Sequence, residues 1–199
     1  MFTDNLKKNM ENLSEAISKN GYIVIDDIFN KESLEKVIEG FEMKREGFRP
    51  ANIGKGTSKA QESEIRNDSM LWLDQGDEDF APVWSFLDEA MQSIRQGMYL
   101  PLKRYEVQLA LYSKGHFYKK HVDRHKLSPS RLISMVLYFN DWVKEDGGEL
   151  MIYKADGEEV QVEPLVNRAI FFLSELEHQV LPTNKERRSL TAWFRDDID

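Results

Sequence analysis

The sequence predicts an α+β fold, a distorted double-stranded β-helix (jelly roll) with supporting N-terminal helices, and three observations predict it. Helical periodicity is confined to residues 1–100. Short strand-like runs separated by Gly-containing turns fill residues 101–199. The chain has 199 residues and no cysteine, so an apolar core rather than disulfides must hold it together. No repeat or composition break divides it, and it reads as one domain, 1–199.

The elements follow in order. Leu6, Met10, Leu13 and Ile17 recur on one helical face and Gly21 stops the pattern. Residues 22–29 (YIVIDDIF) are β-branched and aromatic enough for a strand. Asn30 then offers a cap to a second helix bearing Leu34, Val37, Ile38 and Phe41. Across residues 44–69 the composition turns to Gly, Pro, Ser, Lys and Arg, which reads as a long exposed flap. Loops of that length are often lids over a site, although a merely mobile surface loop has the same composition. Residues 82–98 carry Val83, Phe86, Leu87, Ala90, Met91 and Ile94 at helical spacing, a third helix with a core-facing stripe. Strands are expected at 105–112, 132–139, 149–153, 168–173 and 187–194, with Asp146-Gly147-Gly148 and Asp156-Gly157 as turns.

Composition excludes several functions. Without cysteine there is no thiol nucleophile, Cys-type zinc site or iron–sulfur cluster. A net charge of -8 works against a nucleic-acid partner, whose affinity comes mainly from cation-to-phosphate contacts. The first residues, MFTDNLKKNMENLSEAISKNG, lack the continuous apolar core of a signal peptide, and no run is long enough to span a bilayer. The chain therefore reads as cytoplasmic, with no membrane or nucleic-acid partner.

Three places carry chemistry. In His121-Val122-Asp123 an extended backbone would set both side chains on one face, roughly 6–7 Å apart along the chain. Alone, such a pair is as readily a solvated surface feature. His178 follows the apolar run AIFFL and alone would be a satisfied structural histidine. Residues 187–194 alternate, putting Arg187, Ser189, Thr191 and Trp193 on one face and Arg188, Leu190, Ala192 and Phe194 on the other. An arginine sharing a face with two hydroxyls suits a carboxylate. Taken together, two histidines and one carboxylate form the facial set typical of non-haem iron(II) oxygenases, which leaves three coordination positions open.

At these residues the sequence resembles the prolyl 4-hydroxylase family of 2-oxoglutarate oxygenases, in the branch of the oxygen-sensing prolyl hydroxylases and their bacterial relatives. The resembling stretches are residues 22–29, Ile65-Arg66-Asn67-Asp68 with Trp72, and Tyr112-Ser113-Lys114-Gly115 with Tyr118 and His121-Val122-Asp123. They continue through Tyr138-Phe139-Asn140, Gly147-Gly148-Glu149-Leu150, His178-Gln179-Val180 with Pro182, and Arg187 to Trp193.

The resemblance implies Fe(II) held by His121, Asp123 and His178, which are then the catalytic centre, with 2-oxoglutarate as co-substrate, O2 as oxidant and room for ascorbate. It implies that Arg187, Tyr138 and Thr191 meet the distal carboxylate of 2-oxoglutarate and that Tyr112 lines its pocket. Trp193, Arg66 and Asp68 would lie toward the substrate, a prolyl residue in a protein or peptide that is hydroxylated as 2-oxoglutarate is decarboxylated to succinate and CO2. The cations Lys44, Arg45, Arg49, Lys55 and Lys59 of the flap would suit an acidic acceptor segment. His125 competes as a ligand and Arg188 competes with Arg187; strand alternation favours Arg187. Oxygenation of a free amino acid or small metabolite, and a non-catalytic metal-binding sensor module, are compatible with the same residues. The chain is expected to act as a monomer or weak homodimer.

Overall fold

Each helix is closed by local chemistry. In the computed structural model, which describes residues 2–51 and 65–198, the Thr3 hydroxyl accepts from Leu6 N and opens α1 (Asp4–Asn20). Gly21, at φ 84°, ends it by donating its N–H to Ile17 O. Asn30 caps α2 (Lys31–Met43) by accepting from Ser33 N, and Pro82 sits in the first turn of α3 (Ala81–Met98). Helices α1 and α3 approach closely at Gly97, where an added Cβ would lie 2.4 Å from Ser14 Cβ.

The barrel is two antiparallel sheets. The larger has seven strands in the order β1 (Tyr22–Ile25), β9 (Ala169–Leu173), β6 (Arg131–Tyr138), β11 (Arg187–Arg195), β4 (Arg104–Tyr112), β3 (Ser69–Leu73), β2 (Arg49–Pro50). The smaller has β5 (Tyr118–His121), β10 (Glu177–Val180), β7 (Leu150–Tyr153) and β8 (Glu159–Val162). One face of the large sheet, with Leu109, Met135, Phe171, Leu190, Ala192 and Phe194, shares a core with the helices. Its other face, with Tyr112, Val136, Tyr138 and Phe172, packs toward Leu150, Ile152 and Val180 of the small sheet. The functional site lies between these inner faces. No helix among the described residues is long and apolar enough to cross a membrane.

The five expected barrel strands are present as β4, β6, β7, β9 and β11, with ends shifted by no more than one residue. Five short strands beside them, β2, β3, β5, β8 and β10, were not expected. Strands β5 (YKKH), β8 (EVQV) and β10 (EHQV) are polar four-residue edges or fillers of the small sheet, too short and too charged for an alternation signal. Strand β3 lies where the sheet continues past the flap. The first strand is shorter than expected, because Asp27 takes a left-handed φ of 56° and the chain leaves the ladder. Instead of pairing as a strand, Phe29 exchanges two 2.9 Å hydrogen bonds with the Asn167 side chain. The middle of the expected flap, residues 52–64, lies outside the described residues. Its flanks are strands β2 and β3, which pair with each other.

Candidate active site

His121 and His178 meet because the small sheet pairs them directly. They are cross-strand partners of β5 and β10 in antiparallel register. Strand β5 stops at His121, so Asp123 does not follow on an extended strand as expected. The chain bends there, and the Ser174 carbonyl accepts from the backbone N–H of Asp123 at 3.1 Å and Arg124 at 2.9 Å. That bend turns the carboxylate back onto the imidazoles. Each histidine is oriented by its far nitrogen: His121 Nδ1 lies 2.8 Å from Lys119 O and His178 Nδ1 2.9 Å from Leu176 O. A carbonyl only accepts, so both Nδ1 atoms carry a hydrogen and both Nε2 atoms face inward. His121 Nε2 lies 3.7 Å from Asp123 Oδ1, and His178 Nε2 3.5 Å from Oδ2.

These three ligand atoms lie within 4.8 Å of one another, and the electrostatics suit a cation between them. Burial, reinforced by His178, pushes the His121 imidazole down to about 3, which keeps it neutral and able to ligate. Burial raises the Asp123 carboxyl, but His178, His121 and the Ser134 hydroxyl outweigh it and hold the carboxyl below its usual range. Two imidazole nitrogens and a carboxylate oxygen converging at this largely buried site fit a metal ion of borderline softness such as iron(II).

The other end of the same cavity, about 640 Å³ in volume, holds Arg187. It is 3% exposed, donates from Nε to Gly148 O at 2.8 Å and from Nη1 to Ser189 Oγ at 3.1 Å, and pairs with no carboxylate among the described residues. A buried cation without a counter-ion is costly, so this one fits an anionic ligand. The Tyr112 and Tyr138 rings stand 4.9 and 5.0 Å from its guanidinium carbon, and the buried Tyr138 hydroxyl, close to Arg187, completes no hydrogen bond of normal geometry among the described residues. Glycine is required at 148: φ is 77°, and an added Cβ would lie 3.0 Å from both Arg187 Cδ and Thr183 Cβ.

Comparison with known proteins agrees with this geometry. The profile of the 2OG-Fe(II) oxygenase superfamily matches residues 107–195. A Pseudomonas putida prolyl-4-hydroxylase is 32% identical over 94% of this chain and 99% of its own, with a TM-score of 0.85. This chain belongs to the 2OG-Fe(II) oxygenases, within the prolyl 4-hydroxylase family. A Trichoplax adhaerens prolyl hydroxylase, in complex with a hypoxia inducible factor oxygen degradation domain peptide fragment, shares the fold at 22% identity, over 98% of this chain and 94% of its own, with a TM-score of 0.85. A prolyl 4-hydroxylase from Phytophthora capsici also shares it, at 22% identity over 98% of this chain and 66% of its own, with a TM-score of 0.77. The protein is a 2-oxoglutarate-dependent dioxygenase, and its family's cofactors and co-substrates are Fe(II), 2-oxoglutarate and O2.

The remaining candidate residues of this oxygenase sort by face. Arg188 points away from the cavity, pairing with Glu42 and reaching Phe139 O at 3.3 Å, so it does not share the site with Arg187. His125 is exposed on the cavity rim, where its Nδ1 accepts from Leu127 N at 3.2 Å, apart from the three-residue cluster. Thr191 and Trp193 line the cavity, and Trp193 lies between Trp72 (ring centroids 5.8 Å apart) and the Arg131 guanidinium (4.0 Å). Arg66 grips Asp68 through two hydrogen bonds of 2.8 and 2.6 Å. It covers the Tyr118 ring at 4.3 Å, and Tyr118 stacks on His121. Of the flap cations, Lys44 is engaged by Asp77 and Arg45 by Glu42 and Glu186, while Lys55 and Lys59 lie outside the described residues. Sequence reasoning missed Ser134 and Arg131. Both are on β6, and Ser134 was signalled by being the one aliphatic hydroxyl in the run LISMVLYF.

Proposed function

We propose that this dioxygenase hydroxylates a prolyl residue in a protein or peptide, with His121, Asp123 and His178 holding iron(II) and Arg187 anchoring 2-oxoglutarate. The observation that carries the reading is a single cavity with three convergent lone-pair donors at one end and a buried guanidinium without a counter-ion at the other. When bound, iron(II) supplies the oxidative chemistry in which 2-oxoglutarate and O2 become succinate and CO2 and one oxygen atom passes to the acceptor. The protein's residues bind, orient and shield. The neutral His121 imidazole and the ionised Asp123 ligate without first losing a proton, and His178 turns its Nε2 to the same point. Arg187, with the Tyr138 hydroxyl and Thr191 close by, neutralises and orients the distal carboxylate of the co-substrate, and Tyr112 walls its pocket. Positioning of this kind accounts for much of the protein's share of catalysis.

The acceptor would enter beside Trp193 and Arg66, with Asp68 holding Arg66 in place. A prolyl acceptor is supported by the likeness to the Pseudomonas putida enzyme, and a peptide-borne one by the peptide fragment bound to the Trichoplax adhaerens protein. Two measurements test the reading. Anaerobic addition of iron(II) and 2-oxoglutarate should produce the visible absorption band of a chelated keto acid; metal-loaded protein without it would overturn the site. Mass spectrometry of proline-containing peptides and of cell extract, with and without the enzyme, should reveal single-oxygen additions on proline. Additions confined to free amino acids would overturn the acceptor.

A further inference from the structure

Strand β6 brings one serine hydroxyl to the metal end of the site from a largely apolar run. Ser134, fully buried, lies with its Oγ 2.7 Å from Asp123 Oδ2, and Ser174 Oγ, equally buried, lies 2.8 Å from Ser134 Oγ. Counting protons orders this chain. An ionised carboxylate can only accept, so Ser134 donates its single proton to Asp123, and the contact between the two serines must use the proton of Ser174. Ser174 holds the same aspartate a second way, since its carbonyl accepts from the Asp123 backbone N–H. Oδ2 is therefore tied into the protein, while among the described residues no hydrogen bond of normal geometry is formed at Oδ1. The neighbouring Trp193 indole N–H is buried close to the Asp123 carboxylate and helps hold that carboxyl low without completing such a bond.

We propose that the Ser174–Ser134 hydroxyl chain is a positioning device that restricts Asp123 to one donor oxygen toward a bound cation, an inference that rests on the His121–Asp123–His178 reading. A carboxylate free to swing would chelate through both oxygens and take one of the three positions that the facial set leaves open. One position would then be missing for a two-pronged co-substrate plus O2. The chain opposes the swing, because turning Oδ2 onto the cation would strand the buried Ser134 donor, which Ser174 holds in place, without an acceptor.

Water-proton relaxation of the Mn(II)-loaded protein counts the waters on the bound ion independently of turnover. Ser134→Ala should lower that relaxivity by about a third, from three open positions to two, with the Mn(II) dissociation constant raised by no more than about a hundredfold. Ser174→Ala, which leaves the Ser134 hydroxyl in place without its anchor, should lower it by a smaller amount in the same direction. Melting temperatures of both metal-free variants check that they fold; should Ser134→Ala fail to fold, Ser174→Ala carries the test. Wild-type relaxivity in the folded variants overturns the proposal and leaves the metal site standing. Failure of the wild-type chain to bind Mn(II), or equal binding by Asp123→Ala, overturns the metal site and this proposal with it.

Discussion

The two faces of β11 differ, among the described residues, in whether their arginine has a counter-ion, although Arg188 Nε is itself a buried donor without a hydrogen bond. On the helix-facing side Arg188 is paired with Glu42, and Leu190, Ala192 and Phe194 are fully buried in the larger core. On the barrel-facing side, among the described residues, Arg187 is buried without a carboxylate, and the Trp193 N–H is buried near the Asp123 carboxylate without completing a hydrogen bond. Adjacent residues of one strand thus obey opposite rules. Where polar groups are paired and apolar groups packed, the protein stabilises itself; where they are left short of partners, it is prepared for something else to supply them.

The comparison can be broken most severely at the metal. Asp123→Ala should abolish coupled product formation, a loss on the order of a thousandfold or more, with succinate and hydroxylated peptide measured together; retained coupled turnover would refute the ligand assignment. Phe194→Ala, on the satisfied face, should cost about 3–5 kcal/mol of unfolding free energy by chemical denaturation. In whatever fraction stays folded, the KM for 2-oxoglutarate should be unchanged. Arg187→Ala should do the reverse. Its loss is about 2–4 kcal/mol of co-substrate binding, on the order of a hundredfold in KM, while stability in the absence of 2-oxoglutarate falls little or even rises as an uncompensated buried charge is removed. Arg188→Ala gives the smallest effect: its partly exposed ion pairs contribute about 1 kcal/mol or less, visible as a melting shift of a few degrees with KM unaltered. Equal effects of the two arginine substitutions on KM would erase the distinction between the faces.

Much of this contrast is written in the sequence because β11 is long. Nine residues with strict alternation announce both faces, and they choose Arg187 over Arg188 before any coordinates are consulted. The strands that carry two of the three proposed ligands are not legible in the same way. YKKH and EHQV are four residues each, polar on their outer side, and defined by pairing with distant segments rather than by their own composition. His121 and His178 were found as residue types in a motif, not as members of strands. The bend that delivers Asp123 depends on the Ser174 carbonyl, a backbone group that no side-chain pattern reports. Likewise the early end of β1 follows from a positive φ at Asp27 and a side-chain clasp by Asn167, both tertiary in origin.

Gly148 reaches beyond its turn. Its carbonyl fixes Arg187 Nε, and the space a side chain would need is already filled by Arg187 and Thr183. The guanidinium is therefore set against main chain, so its separation from the three ligands behaves as a built-in gauge of length. Keto diacids one carbon shorter or longer than 2-oxoglutarate should be rejected by reach rather than by charge.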